Sequence, residues 1–329
     1  MKFLTHLTLV TLMALPVSPV RAADVDALLP AETETVMFVN FRQILDSELF
    51  TKYARGQIEL ALKGNDAQKM MQDLGLDPLK DIDHLVAGTW GTGPDDMKAL
   101  FIVRGKFDPA KLFDALQVAI KKEPDKLEIV SEGKYKIVKF ISENQPKPVY
   151  ASVASEKAIV IGTDKKLVAN ALADAERGAK AKIKRELADL LSKQDSKVSM
   201  FAIGLTEGKV ELPPNFSLPV QGVDAEKLQK QLEGIKFAGL VMNVTDGLSL
   251  EISMGMKDAE IADDFGGTVD QLINTAKVFI PVLAAQQPQF QPIAQELGRT
   301  LKSKVDGKSV TITVKISGST IGKVAGGSE

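Results

Sequence analysis

The stretch 84-HLVAGTWG-91 holds the single tryptophan and one of the two histidines of the chain. Whether it is a reactive segment or the inside of a strand sets the reading of everything around it. Alternation along a strand puts Leu85, Ala87 and Thr89 on one face and His84, Val86, Gly88 and Trp90 on the other. The residues that follow, 91-GTGPDD-96, are turn formers, and a new apolar run begins near Lys98. The stretch therefore predicts the first strand of a hairpin whose tip follows Trp90.

As a site it is poor. A strand sets Asp81 and Asp83 on the face opposite His84. The other histidine, His6, lies in the N-terminal apolar segment, so no second imidazole completes a zinc set. Gly91-Thr92-Gly93 lacks the third glycine, the helix and the Lys-Ser/Thr pair of a phosphate loop. A Ser-His-Asp triad would have to recruit His84, and no G-x-S-x-G elbow occurs. The sequence thus assigns no catalytic residue, no metal ligand and no cofactor.

Outward from this hairpin the pattern is mixed. Strands are expected at 35–41, 83–90, 98–107, 127–131, 134–141, 149–154 and 158–162. Helices are expected near 42–53, 56–73, 109–122 and 165–177. Asp108 and Asp164 stand where a carboxylate accepts the first free amides of a helix, and Pro109 where the first helical turn tolerates it. Short connections between successive strands imply antiparallel pairing. The fold class is α+β, with helices on one face of mainly antiparallel sheets.

Four landmarks repeat in order at offsets of about 150 to 175 residues, the signature of an internal duplication. The stretch 35-TVMFVNF-41 matches 197-KVSMFAIGL-205, and Ala87-Gly88 matches Ala238-Gly239. Likewise 101-FIVRGKFDPAKL-112 matches 251-EISMGMKDAEIA-262, and 132-EGKYKIVKFI-141 matches 306-DGKSVTITVKI-316. The expected organisation is a signal peptide over 1–22, related α+β domains over 23–180 and 181–324, and a disordered tail over 325–329. The boundary falls in the basic stretch 177-RGAKAKIKRE-186, read as a solvated connector that an anionic surface would attract.

The N-terminus reads as an export signal. Lys2 supplies the positive charge, Phe3 to Leu15 is apolar, Pro16 and Pro19 break it, and Val20-Arg21-Ala22 places short residues before Ala23. Cleavage is expected after Ala22. The apolar run is too short to span a bilayer, which takes about 20 residues, and no later run reaches that length. The chain has no cysteine, so an exported form rests on packing alone and thiol chemistry is excluded. Charge is near balance, 41 Lys+Arg against 43 Asp+Glu, which leaves no global field to capture nucleic acid.

Three segments carry a resemblance: 28-LLPAETETVMFVN-40, 74-LGLDPLKDIDHL-85 and 104-RGKFD-108. With the signal peptide, the chain resembles a family of exported bacterial proteins catalogued as a domain of unknown function. The resemblance implies a tandem α+β exported protein and brings no site residues.

The candidate apolar surface or cleft is the stripe Val269, Leu272, Ile273, Ala276, Phe279 and Ile280. Pro281 is expected to kink or end that helix, and 286-QQPQFQP-292 to link it to the next. Asp263-Asp264 is read as a solvated helix turn. The expected function is non-enzymatic binding or structural interaction in the periplasm or cell envelope, with an unknown envelope protein or a hydrophobic ligand as partner. A carrier of lipid predicts an apolar cavity beneath the helices of 268–301. A carboxylate hydrolase of envelope polymers predicts two acids across one cleft, about 5 to 10 Å apart.

Overall fold

A computed structural model describes residues 25–325 apart from 92, 94, 95, 143–146, 207–209, 211 and 213–223. The expected signal peptide and the last four residues of the expected tail lie outside the described residues. The first half runs β1 (Thr35–Asn40), α1 (Phe41–Asp46), α2 (Glu48–Tyr53), α3 (Arg55–Leu62), α4 (Asn65–Leu74), α5 (Pro78–Asp81), β2 (Ile82–Trp90) and β3 (Lys98–Gly105). Then come α6 (Pro109–Lys122), β4 (Leu127–Glu132), β5 (Tyr135–Phe140), β6 (Val149–Ser155), β7 (Ala158–Gly162) and α7 (Lys165–Arg177). The second half runs α8 (Arg185–Leu191), β8 (Met200–Leu205), α9 (Ala225–Glu233), β9 (Ile235–Val244), β10 (Gly247–Met256) and α10 (Ala259–Ala285). It closes with α11 (Gln291–Thr300), β11 (Lys302–Asp306), β12 (Ser309–Ser317) and α12 (Gly318–Ala325).

The two helices expected over 42–73 are four. Asn40 caps α1 by accepting from the Gln43 amide, and the Ser47 hydroxyl accepts from the Phe50 amide to start α2. The Ser47 cap ends α1, because a capping residue holds an extended backbone. Ala325 belongs to α12 rather than to a tail.

The described strands form one antiparallel sheet of 12, in the order β11-β12-β10-β9-β8-β1-β2-β3-β7-β6-β5-β4. The halves meet at β1 and β8, where Phe38 pairs with Phe201. Their rings stack with centroids 5.1 Å apart. In the first half the strand beside β3 is β7; in the second the strand beside β10 is β12. The hairpin β11–β12 therefore takes the place of β6–β7, not of β4–β5. Ala87 lies across from Phe101, whereas Ala238 lies across from Met254, so the two Ala-Gly pairs sit at different heights in the sheet.

Registers propagate side-chain parity across the sheet. One face carries Val36, Phe38, Val86, Leu100, Ile102 and Phe201. It packs under α7, α8 and the segment 25–33, which contribute Val168, Leu172, Leu187, Leu191, Leu28 and Leu29 to the same buried cluster. The other face carries Met254, Val310 and Ile312 in the second half, where Phe265, Val269 and Ile273 of α10 close over it. Helix α6 covers this second face in the first half. Helices thus lie on both faces of the first half, which corrects the expected one-sided cover. The reason is that β1 and β3 are apolar at every position of 36–39 and 99–103, so both their faces call for cover. In β12, by contrast, Val310, Ile312, Val314 and Ile316 alternate with Ser309, Thr311, Thr313 and Lys315, and one face suits water.

Phe201 is 2 % exposed in the main cluster at the joint between the halves. Phe201→Ala is expected to cost about 3–5 kcal/mol of unfolding free energy. Val118→Ala on the exposed side of α6 should stay within about 0.5 kcal/mol of wild type. Denaturant titration of the three proteins checks both values.

Candidate functional site

Helix α6 is set by its ends. The Asp108 carboxylate accepts from the Ala110 and Lys111 amides, both at 3.1 Å, and Pro109 opens the first turn. Leu112, Leu116, Ala119 and Ile120 recur at helical spacing and form an apolar stripe. Yet no residue of α6 is buried. By comparison, α7 buries Val168, Ala169, Ala171 and Leu172. Helix α6 stands off the sheet, and a cleft of ≈ 400 Å³ lies beneath it. That volume falls in the usual range of small-molecule sites, about 300–1,000 Å³.

The floor of the cleft is Val138, Ala151, Val153 and Ile159, and its roof is Leu112, Phe113 and Leu116, with Leu74 of α4 at one end. Phe113, Ile129 and Phe140 line it while remaining 38 %, 37 % and 41 % exposed. The polar lining residues are Lys136 and Ser152, and the Ser152 hydroxyl donates to the Lys136 carbonyl. Among the described residues no carboxylate lines this cleft. The same sheet face continues toward the joint between the halves. There Phe101, Val103, Met37, Val39, Leu85 and Leu240 are only half-buried and lie outside both buried clusters.

The space beneath α10 is closed. Of the stripe expected as an apolar surface or cleft, Val269 and Ile273 are buried in the core beneath α10. Leu272, Ala276 and Ile280 are half-buried, and Phe279 is exposed. Helix α10 approaches closely because Gly266 has no side chain where a Cβ would meet a methyl of Val305. Pro281 does not end α10, which runs on to Ala285. In place of a plain linker, 288–290 form a short 3₁₀ turn and α11 begins at Gln291. Beyond the core, Val278, Phe279, Val282 and Leu283 leave an exposed apolar patch at the end of α10.

His84 lies on the face of Val86, as alternation requires, and lines a separate cavity of ≈ 240 Å³ with Val25, Asp26, Leu29 and Phe38. Its ring is tilted against Phe38 at 5.3 Å. Asp26 is fully engaged there. It accepts from Arg104 at 2.8 and 2.7 Å and caps the Leu28 amide at 3.0 Å, pinning the segment 25–33 to the sheet. Asp83 pairs with Arg42 at 3.2 Å, and Asp81, in α5, accepts from the Asp77 amide. The acids near His84 in sequence are thus structural. Gly91 takes a positive φ of 126° after Trp90, and the next element is β3, not a helix.

Most of the other charged groups singled out by sequence are paired. Arg177 and Lys182 both donate to Asp174, at 2.6 and 2.9 Å. Burial would raise the Asp174 carboxyl, but the hydrogen bonds from Lys182 and Arg177 outweigh it and hold the group below the usual carboxylate value. Lys184 faces Glu34 and Arg185 faces Asp189, each at 3.8 Å. Asp264 accepts from Lys227 and Gln231, both at 2.7 Å. Among the described residues no cluster of three or more His, Asp or Glu side chains is placed to hold a metal ion. None of the described helices is long and apolar enough to cross a membrane. Comparison with protein-family models, curated proteins and solved structures returns no match.

The cleft beneath α6 escaped the sequence reading, which took the helix as ordinary cover. The available signal was the pairing of an apolar stripe on α6 with strands apolar on both faces.

Burial holds the His84 imidazole below its ordinary 6.5; the Asp26 carboxylate opposes this and Arg104 adds to it. As pH falls through 6.5 the unfolded chain takes up the proton first. The stabilisation is complete above that pH and is lost as pH drops toward the folded value. The melting temperature is expected to fall between pH 7.5 and pH 5, and to fall less in His84→Gln. An equal fall in both proteins would contradict this account.

Proposed function

We propose that the chain is a non-catalytic binding protein of the bacterial cell envelope that holds a hydrophobic ligand beneath α6. The observation that carries this reading is an amphipathic helix that buries none of its residues, above a cleft floored by Val138, Ala151, Val153 and Ile159. Exposed apolar surface costs about 25 cal/mol per Å² relative to burial. A chain that fills its core under α10 and leaves α6 raised retains that surface for an occupant. The half-buried apolar face beside the cleft supports the same reading, because sequence runs apolar on both faces call for cover. Export follows from the positive, apolar and small-residue order of residues 1–22.

The chain is proposed to be two copies of one α+β unit sharing a sheet. Three features support this. Phe38 and its counterpart Phe201 face each other across β1 and β8, as a local two-fold axis requires. The order β1-β2-β3-β7-β6 is matched outward by β8-β9-β10-β12-β11. Asp108 and Asp258 both cap the helix that follows the third strand of their half. On this reading α6 and α10 are equivalent helices, one opened into a site and one closed into core, and β4–β5 is an addition that extends the floor.

The wild-type protein is expected to bind the neutral dye N-phenyl-1-naphthylamine saturably at one site. Ala151→Trp, which fills the floor, and Leu116→Asp, which charges the roof, should each weaken binding by about tenfold or more. Linear, unsaturable uptake by the wild type, or unchanged binding in both folded variants, would sink the proposal.

A further inference from the structure

We infer that the ligand of the α6 cleft is a single-chain amphiphile with an anionic head, set against Lys136. This rests on the reading of the cleft as a binding site and adds the chemistry of its occupant. The lining is apolar except at one place, where Lys136 and Ser152 lie on neighbouring strands. Strand β5 and the turn before it carry three lysines with different fates. Lys134 pairs with Glu176 at 2.6 Å, and Lys139 pairs with Glu128 at 3.2 Å. Lys136 is the one that lines the cleft, and among the described residues its ammonium has no carboxylate partner. Its cross-strand neighbour on β4 is Ser131, which brings no charge.

A cation held without a counter-ion at the end of an apolar slot matches a molecule with charge at one end only. The tail lies between Leu116 and Ala151, and the head reaches Lys136 at the exposed end, where solvent completes its hydration. A neutral lipid would leave the ammonium unanswered. A small anion would leave the apolar slot unfilled. Because Lys136 is exposed, the preference it confers is modest, as for other solvent-screened ion pairs.

The test is displacement of N-phenyl-1-naphthylamine from the full-length protein by dodecanoate, dodecyl phosphate and dodecanol, each below its micelle threshold. At least one anion is expected to bind about fivefold more tightly than the alcohol, and the ranking of the two anions assigns a carboxylate or a phosphate source. Lys136→Gln should bring anion and alcohol within about twofold of each other by weakening the anion. Lys134→Gln, whose lysine is paired elsewhere, should keep the preference. Equal binding of all three by the wild type, or a preference that survives in Lys136→Gln, overturns the anionic head and leaves the cleft standing. Failure of the dye to bind, or of dodecanol to displace it, removes the cleft and this inference together.

Discussion

Phe38 lies against Phe201 across the joint of β1 and β8, and the rest of the sheet depends on that contact. Both strands are apolar on both faces. Left unpaired, each would present a row of free amides and carbonyls beside exposed hydrophobic side chains, a template for aggregation. Joined, they become interior strands, and the sheet keeps edges only at β4 and β11. The stacked rings sit in the same buried cluster as Val36, Val86 and Ile203, which ties strands of both halves to α7 and α8. The buried Ser199 reinforces the joint. Its hydroxyl accepts from the Val244 amide at 2.7 Å and donates to the Gln43 side chain, linking α1 with the end of β9.

Once the sheet is continuous, the approach of each helix decides where the molecule is dry and where it is open. Gly266 lets α10 settle against Val305, and Phe265, Val269 and Ile273 fill the space beneath. Helix α6 meets the sheet through Leu112, Phe113 and Leu116, above a floor that includes the small Ala151. Helix α6 has no glycine at which to approach, and the small Ala151 on the floor leaves room. The difference between core and cleft thus lies in a few facing positions and in the strands β4 and β5, which help to line the cleft.

Electrostatics in this protein serve mainly to hold segments down. Asp26 and Arg104 pin the N-terminal segment, Asp174 gathers Arg177 and Lys182 at the start of the connector between the halves, and Asp264 ties α10 to α9 through Lys227 and Gln231. The basic stretch expected as a solvated connector is mostly exposed, and its cations Arg177, Lys182, Lys184 and Arg185 face Asp174, Glu34 and Asp189. Of these acids only Glu34 lies far from the stretch in the chain. Lys136 differs from these groups in facing an apolar slot.

The sequence by itself determined many of the elements and, where a side chain caps a helix, some of their ends. Helices 109–122 and 165–177 were legible to the residue, since Asp108 and Asp164 cap them and their stripes are local patterns. The hairpin after Trp90 and the two faces of 84–90 were equally legible, because alternation along a strand needs no distant partner. The candidate apolar stripe divides: Val269 and Ile273 are buried in the core, whereas Phe279 is exposed. Val269 and Ile273 look like a cleft in sequence as much as Leu112 and Leu116 do, for a stripe states only that a helix face avoids water. Whether that face meets a filled floor or an empty one depends on strands that lie elsewhere in the chain. Only the tertiary structure decided it, because packing compares volumes that come together in space and are not written side by side in the chain.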